Sequence, residues 1–421
     1  MNNKDLPKEL IGLEARLKSR LLMEANKKRN SIMKRRKLIG IAASVAITFS
    51  IGLKPIASFV TNKLDETQIA KISNFEPGLM LAIENGIMQD VSVNESSKNL
   101  KMSIQDVLMD DSGMMVFYSI ENLGDYKEAI LEEMVLEDEN SAKVAKGYFE
   151  GRNSVLDISN LSKYQSRLIF DFDNNEVESK VNLVAKFSVK NSDGSLEKIS
   201  YTLPFEIDNK VFEGKKSKYI INENVSTNAG KITFKTLEEY PMRNVVRCEI
   251  NELDNVKLLD FDSMAIVDEE GERYNYMYKR GQKLYFSSSY YKPSDSFRLV
   301  GANIKYLDEN YKIENSIDLN NKKWIIKGHD EFEIAEMNKT DVGYDISIRI
   351  GNFDMRDLNS DIEVRSNRAT ISKSSLSYIE NTNQTILNLR VKTNGSDSFL
   401  DFEIENYPRI ETNYFDIEIG R

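Results

Sequence analysis

The chain has 421 residues, 40% hydrophobic and 29% charged, with one Cys, one His and a net charge of −10. That apolar share builds ordinary cores and excludes wholesale disorder, and the length gives room for two to four domains of roughly 100–200 residues. A lone cysteine, Cys248, excludes an intramolecular disulfide framework. Scarce cysteine in an exported chain, with frequent Asn, Lys and Ile, suits a Gram-positive surface and an AT-rich genome.

The charge is unevenly spread. Residues 1–37 hold twelve Lys/Arg and four Asp/Glu, a local charge of +8, which leaves −18 for the remainder. So acidic a body repels nucleic acid, and no nucleic-acid partner is expected.

Taken in chain order, the first element is a helix. Asp5 can cap it and Pro7 is tolerated in its first turn. Leu6, Leu10, Leu13, Leu17 and Leu21 follow at steps of four, three, four and four, which places them on one helix face. A short helix has no core of its own to bury such a stripe. The stripe must pack on a partner protein, on a second copy or on the anionic bilayer surface. These five leucines are the expected partner-binding residues.

Leu38 to Val60 is apolar apart from Lys54, and Lys34-Arg35-Arg36-Lys37 stands directly before it. At ~1.5 Å per residue a helix over this run spans roughly the 30 Å hydrocarbon core. Basic residues on its N-terminal side predict a cytoplasmic N-terminus and an exported C-terminal bulk. The basic lead is long for a signal peptide and no small-x-small site follows Leu53, so an uncleaved anchor is expected at the cell membrane. Residues 61–89 read as a stalk or lead-in helix.

From about residue 90 strand alternation dominates. Leu100-x-Met102-x-Ile104, the turn Asp110-Asp111-Ser112-Gly113, and Met114-x-Val116-x-Tyr118-x-Ile120 read as a hairpin with one buried face. Leu183 to Val189 and Ile199 to Ile207 read as another, turned at Asn191-Ser192-Asp193-Gly194. The segment 101–122 aligns without gaps on 231–252, at an offset of 130. A third copy spans 332–350, with Ile334, Met337, Ile346 and Ile350 in the apolar places. The phrases PFEID near 207, NSIDL near 319 and FDIEI near 419 look like matching module ends.

The expected fold class is mainly β: tandem immunoglobulin-like β-sandwich modules after one transmembrane helix and a short cytoplasmic amphipathic helix. The expected modules are 90–210, 211–320 and 321–421.

The basic leucine-bearing head, the membrane run and the motif at Ile104, Gln105, Asp106, Val107, Asp110, Asp111, Val116, Tyr118 and Ile120 together resemble a bacterial domain-of-unknown-function family. Its members look like ectodomains of Gram-positive single-pass membrane proteins encoded beside ECF-type sigma factors. The resemblance covers roughly residues 1–210, and 211–320 resembles a companion module. It implies an anti-sigma-like negative effector with an ECF-type sigma factor as partner. Residues 1–60 hold no His and no Cys, so zinc-based redox sensing does not carry over.

Catalytic chemistry is thin. His329 sits in an expected junction loop, and Cys248 falls on a buried strand face. Asp171-x-Asp173-x-Asn175 starts like a calcium loop, but Glu176 stands where Gly is required and Asn182 where the terminal Glu belongs. Asp260-x-Asp262 and Asp268-Glu269-Glu270-Gly271 read as solvated turns. No catalytic residue, cofactor or metal is expected, and the chain is not expected to be an enzyme. Tyr274, Tyr276, Tyr278, Tyr285, Tyr290 and Tyr291 crowd one stretch. They read either as cross-strand pairs or as an exposed face contacting glycan or protein. The second reading supports an alternative function, a structural or adhesive surface protein that binds a cell-wall component.

Overall fold

The computed structural model describes residues 76–149, 155–158, 163–172, 178–351, 362–366, 369–379, 384–393 and 398–420. The leucine-striped head, the expected membrane run and most of the expected stalk lie outside the described residues. Among the described residues, no helix is long and apolar enough to cross a membrane.

The described chain is mainly β. It opens with a short helix, α1 (Pro77–Glu84), which has a proline in its first turn. Paired bonds close its far end, from Gly86 N to Ile83 O at 3.0 Å and from Ile87 N to Ala82 O at 3.1 Å. Leu79, Ala82 and Ile83 are buried.

The first β unit contains β1 (Met88–Ser97), β2 (Leu100–Asp110), β3 (Gly113–Asn122), β4 (Glu128–Glu137), β5 (Lys143–Phe149), β6 (Val155–Asp157), β7 (Lys163–Asp171), β8 (Lys180–Lys190) and β9 (Leu196–Glu206). Its strands run β1-β2-β3-β7-β5-β4-β8-β9, with β6 on β4. The β8–β9 hairpin turns where the Asn-Ser-Asp-Gly sequence predicts, with Gly194 N donating to Asn191 O at 3.0 Å.

The second unit contains β10 (Ser217–Thr227), β11 (Gly230–Glu239), β12 (Arg243–Glu252), β13 (Val256–Asp262), β14 (Ala265–Asp268), β15 (Arg273–Arg280), β16 (Lys283–Ser287) and β17 (Ser296–Asp308). The order β10-β11-β12-β16-β15-β14-β17 repeats that of the first unit, with β13 and β14 pairing with successive parts of β17.

The third unit contains β18 (Lys312–Asp318), β19 (Lys323–Ile326), β20 (Glu333–Thr340), β21 (Gly343–Gly351), β22 (Glu363–Arg365), β23 (Thr370–Ile379), β24 (Gln384–Lys392) and β25 (Phe399–Glu405). It is a sandwich of two four-stranded sheets, β19-β18-β25-β22 and β20-β21-β24-β23. Ile317, Leu400 and Ile404 from one sheet meet Ile346, Ile348 and Leu389 from the other in its core.

The repeated phrase is a repeated structure. The β2–β3 register shifts between Ile104 and Asp106, the β11–β12 register between Phe234 and Thr236, and the β20–β21 register between Ile334 and Glu336. The first two shifts keep the sequence offset of 130. The preceding strands shift at the same offset, between Asp90 and Val93 and between Ile220 and Glu223. Ser92 and Asn222, inside these two bulges, both adopt positive φ.

The chain's last strand departs from the expected division. β26 (Arg409–Gly420) pairs along β17 from Ser296↔Gly420 to Tyr306↔Arg409, and Ile417 and Ile419 join the second unit's core. The third unit is therefore inserted into the second, not appended to it. The phrase FDIEI near 419 occupies in the second unit the place of PFEID near 207 in the first, whereas NSIDL lies on β18 of the third. Within the third unit β18 takes the position beside β25.

Candidate functional site

The first two units meet through equivalent hairpin tips. Asp110 to Gly113 ends the β2–β3 hairpin, and Tyr240 to Arg243 ends the β11–β12 hairpin at the same offset of 130. Asp110 is fully buried and accepts from Met242 N of the second unit at 2.8 Å, from Ser112 N at 2.8 Å and from Ser112 Oγ at 2.5 Å. Burial pushes its carboxyl above the ordinary Asp range, against the opposing pull of Arg243 and these donated bonds. Asp111 points the other way, to Lys216 Nζ at 2.7 Å.

Arg243 is the centre of the joint. Its Nε donates to Ser112 Oγ at 2.9 Å and its Nη2 to Ser112 O at 2.8 Å. Nη1 meets Asp171 Oδ1 at 2.6 Å and donates to the Tyr278 hydroxyl. The guanidinium lies 4.6 Å over the Tyr285 ring, which stacks on Tyr278 with centroids 4.6 Å apart. Asp171 also accepts from Arg280 Nη1 and from the Tyr278 hydroxyl, each at 3.1 Å. Gly113 leaves its place to Arg243, since a β-carbon there would collide with Arg243 Nη2 and the Phe170 carbonyl.

Helix α1 seats against both units. Glu76, just before it, pairs with the buried Arg167 of β7. Gly78 lies so close to the Ser288 carbonyl, just past β16, that no β-carbon fits between them.

Beside the joint the outer face of the second unit carries a row of cations. Arg280 on β15 pairs in register with Lys283 on β16, and Lys283 with Arg247 on β12. These three, with Lys218 and Lys235, line a groove of about 650 Å³. It adjoins a larger one of about 1290 Å³ that runs under the inter-unit segment and shares Lys218, Arg247 and Lys283. Arg247 is held by Glu238 at 2.9 Å, and Lys283 Nζ donates to the Phe172 carbonyl of the first unit at 2.9 Å.

The other residues singled out in sequence fall into structural places. Cys248 is 3% exposed, and burial pushes its thiol up to about 12. Met102, Met114 and Tyr118 are fully buried. His329 makes tilted ring contacts with Phe332 and Tyr407, which also touch each other, and its Nδ1 accepts from Glu331 N at 3.3 Å. Asp268 fastens the β14–β15 turn, accepting from Glu270 N, Glu272 N and Tyr274 Oη. Asp260 accepts from the Tyr276 hydroxyl. Asp173, Asn175 and Glu176 lie outside the described residues. Among the described residues, no group of three or more His, Cys, Asp or Glu is placed to hold a metal ion. Tyr274 and Tyr285 are buried, Tyr276 packs edge-on against Phe261 and Phe286, and Tyr290 packs edge-on against Tyr291.

Sequence reasoning missed Arg243, Arg280, Arg247 and Lys283, and read Asp171 only as the start of a calcium-loop-like run rather than as a partner of Arg243. The signal lay where the repeat copies diverge: Arg243 stands at the place of Gly113, and Arg247 at that of the buried Phe117.

No protein-family model matches the chain, and no curated protein matches it. Among solved structures, the conserved domain protein from Bacillus anthracis is 12% identical over 57% of this chain and 85% of that one, with a TM-score of 0.37.

Proposed function

We propose that the chain is a membrane-anchored signalling regulator of the anti-sigma-factor type. In this reading residues 1–37 lie in the cytoplasm and 38–60 cross the membrane once. The β units, built as immunoglobulin-like sandwiches, stand outside as the sensing region. The leucine stripe from Leu6 to Leu21 holds an ECF-type sigma factor.

The observation that supports the reading is the seat of α1. The helix follows the proposed span after residues 61–76 and is held by both units at once, through Glu76 on Arg167 and Gly78 on Ser288. An event that opens the joint therefore unseats the element leading to the membrane. For the adhesive alternative, Tyr274 and Tyr285 are buried and Tyr278 stacks on Tyr285 at the joint, which leaves the half-buried Tyr290 and Tyr291 as its remaining contact residues.

The test is crosslinking capture from native membranes with the full-length chain, beside a chain lacking residues 1–37. A sigma factor captured only with the head, lost on Leu13→Asp with Leu17→Asp and reduced on Gly78→Val, is the expected result. Capture of no cytoplasmic protein that depends on residues 1–37 overturns it.

A further inference from the structure

We infer that the cross-strand row Arg280, Lys283 and Arg247 is a binding site for a phosphate-bearing anion, with Lys218 and Lys235 at its edge. Like charges directly opposite each other on neighbouring strands repel. Here three cations stand in consecutive register on β15, β16 and β12. Strands lie ~4.8 Å apart, so the row spans roughly 10 Å, the scale of a multivalent oxyanion or of neighbouring phosphates on one chain. Arginine's planar fork matches phosphate oxygens, and the flanking lysines add point charges.

The first unit shows what the same position does with an anion. Phe117 pairs in register with Arg167 on β3 and β7, as Arg247 pairs with Lys283 on β12 and β16. Lys283 is thus the counterpart of Arg167, and Arg167 takes the Glu76 carboxylate that α1 brings. In the second unit the equivalent face is a groove, its side chains still 38% exposed at Arg280, 35% at Arg247, 44% at Lys235 and 58% at Lys218. Glu249 is the one carboxylate in the groove lining, paired with Lys235 at 3.0 Å, and Glu238 flanks it, holding Arg247 and Lys218. Five cations set against Glu238, Glu249 and Asp171 leave a local positive excess on a body whose overall charge is strongly negative.

The site also reaches the joint. Arg280 divides its guanidinium between this face and Asp171, and Lys283 holds the Phe172 carbonyl. A phosphate on the row competes with those first-unit acceptors and loosens the clamp. Binding itself does not depend on the signalling reading, so the test below reads binding alone.

The experiment is calorimetric titration of the detergent-solubilised full-length protein with inorganic polyphosphate, repeated with inorganic phosphate as competitor. Lys283→Gln and Arg247→Gln are each expected to weaken polyphosphate binding about tenfold. Lys373→Gln, an exposed charge loss in the third unit, is expected to change nothing. Displacement by inorganic phosphate identifies a single-anion site, and resistance to it a track for consecutive phosphates; both support the inference. Absence of polyphosphate binding, binding unaltered by the row variants, or equal loss with Lys373→Gln overturns it. Should either row variant fail to fold, Lys235→Gln, on an exposed side chain, carries the same expectation.

Discussion

Arg243 and Asp171, one from each of the first two β units, meet at 2.6 Å with side chains only 5% and 0% exposed. The pair is shut away from water, and each partner is fixed by further donors or acceptors. Removing one partner of a buried pair typically costs about 3–5 kcal/mol, and here Arg280 and Tyr278 still hold Asp171 when Arg243 is lost.

Asp171→Asn should therefore destabilise the joint by about that amount and Arg243→Gln by somewhat less, read from urea unfolding. The two changes made together should cost clearly less than their sum, because both remove the same Arg243–Asp171 contact. Additive losses would refute the clamp.

Removing residues 409–421 should damage the second unit and spare the third. Loss of β26 uncovers β17 and takes Ile417 and Ile419 out of the core. Hydrogen exchange should show the amides of Arg298–Ile304 becoming labile while those of β21 and β24 stay protected. Equal loss in both units would mean that the third depends on the second.

Cys248 should resist alkylation in the native protein. The thiol is buried and its ionisation is pushed to about 12, so little thiolate exists near neutrality. Reaction with iodoacetamide should follow global unfolding, with no fast native phase.

The buried carboxyl of Asp110 gives the joint a pH dependence of a definite sign. Its folded value is raised, chiefly by burial, so above the ordinary Asp value the folded state holds more protons than the unfolded. The stability it contributes is present at low pH and is lost as pH rises through the raised value. The stability difference between the native chain and Asp110→Asn should shrink across that window. A difference that grows with pH would reverse the sign.

The strands and hairpins were legible because alternation and turn chemistry are local. The repeat was legible too, since Ile104, Phe234 and Ile334 keep one phase relative to their turns. The joint was not, because it is made by pairs distant in sequence, Asp110 with Met242 and Asp171 with Arg243. The residues concerned are also those at which the copies differ. Nor could the place of Arg409–Gly420 be read: an alternating edge strand fits either neighbouring core, and only Ile417 and Ile419 meeting Leu299 and Ile304 decides it. Leu6, Leu10, Leu13, Leu17 and Leu21 lie outside the described residues.

The returning strand also sets an order of assembly. A chain made from its N-terminus offers domains to fold in that sequence. Here the middle unit must wait: β17 has no mate for its free edge until Arg409–Gly420 has emerged, after the whole inserted sandwich. During that interval the half-built unit carries an open hydrogen-bonding edge and an uncovered Phe234, which Phe415 later meets. Completion thus runs first, third, second, with the last strand closing the middle unit.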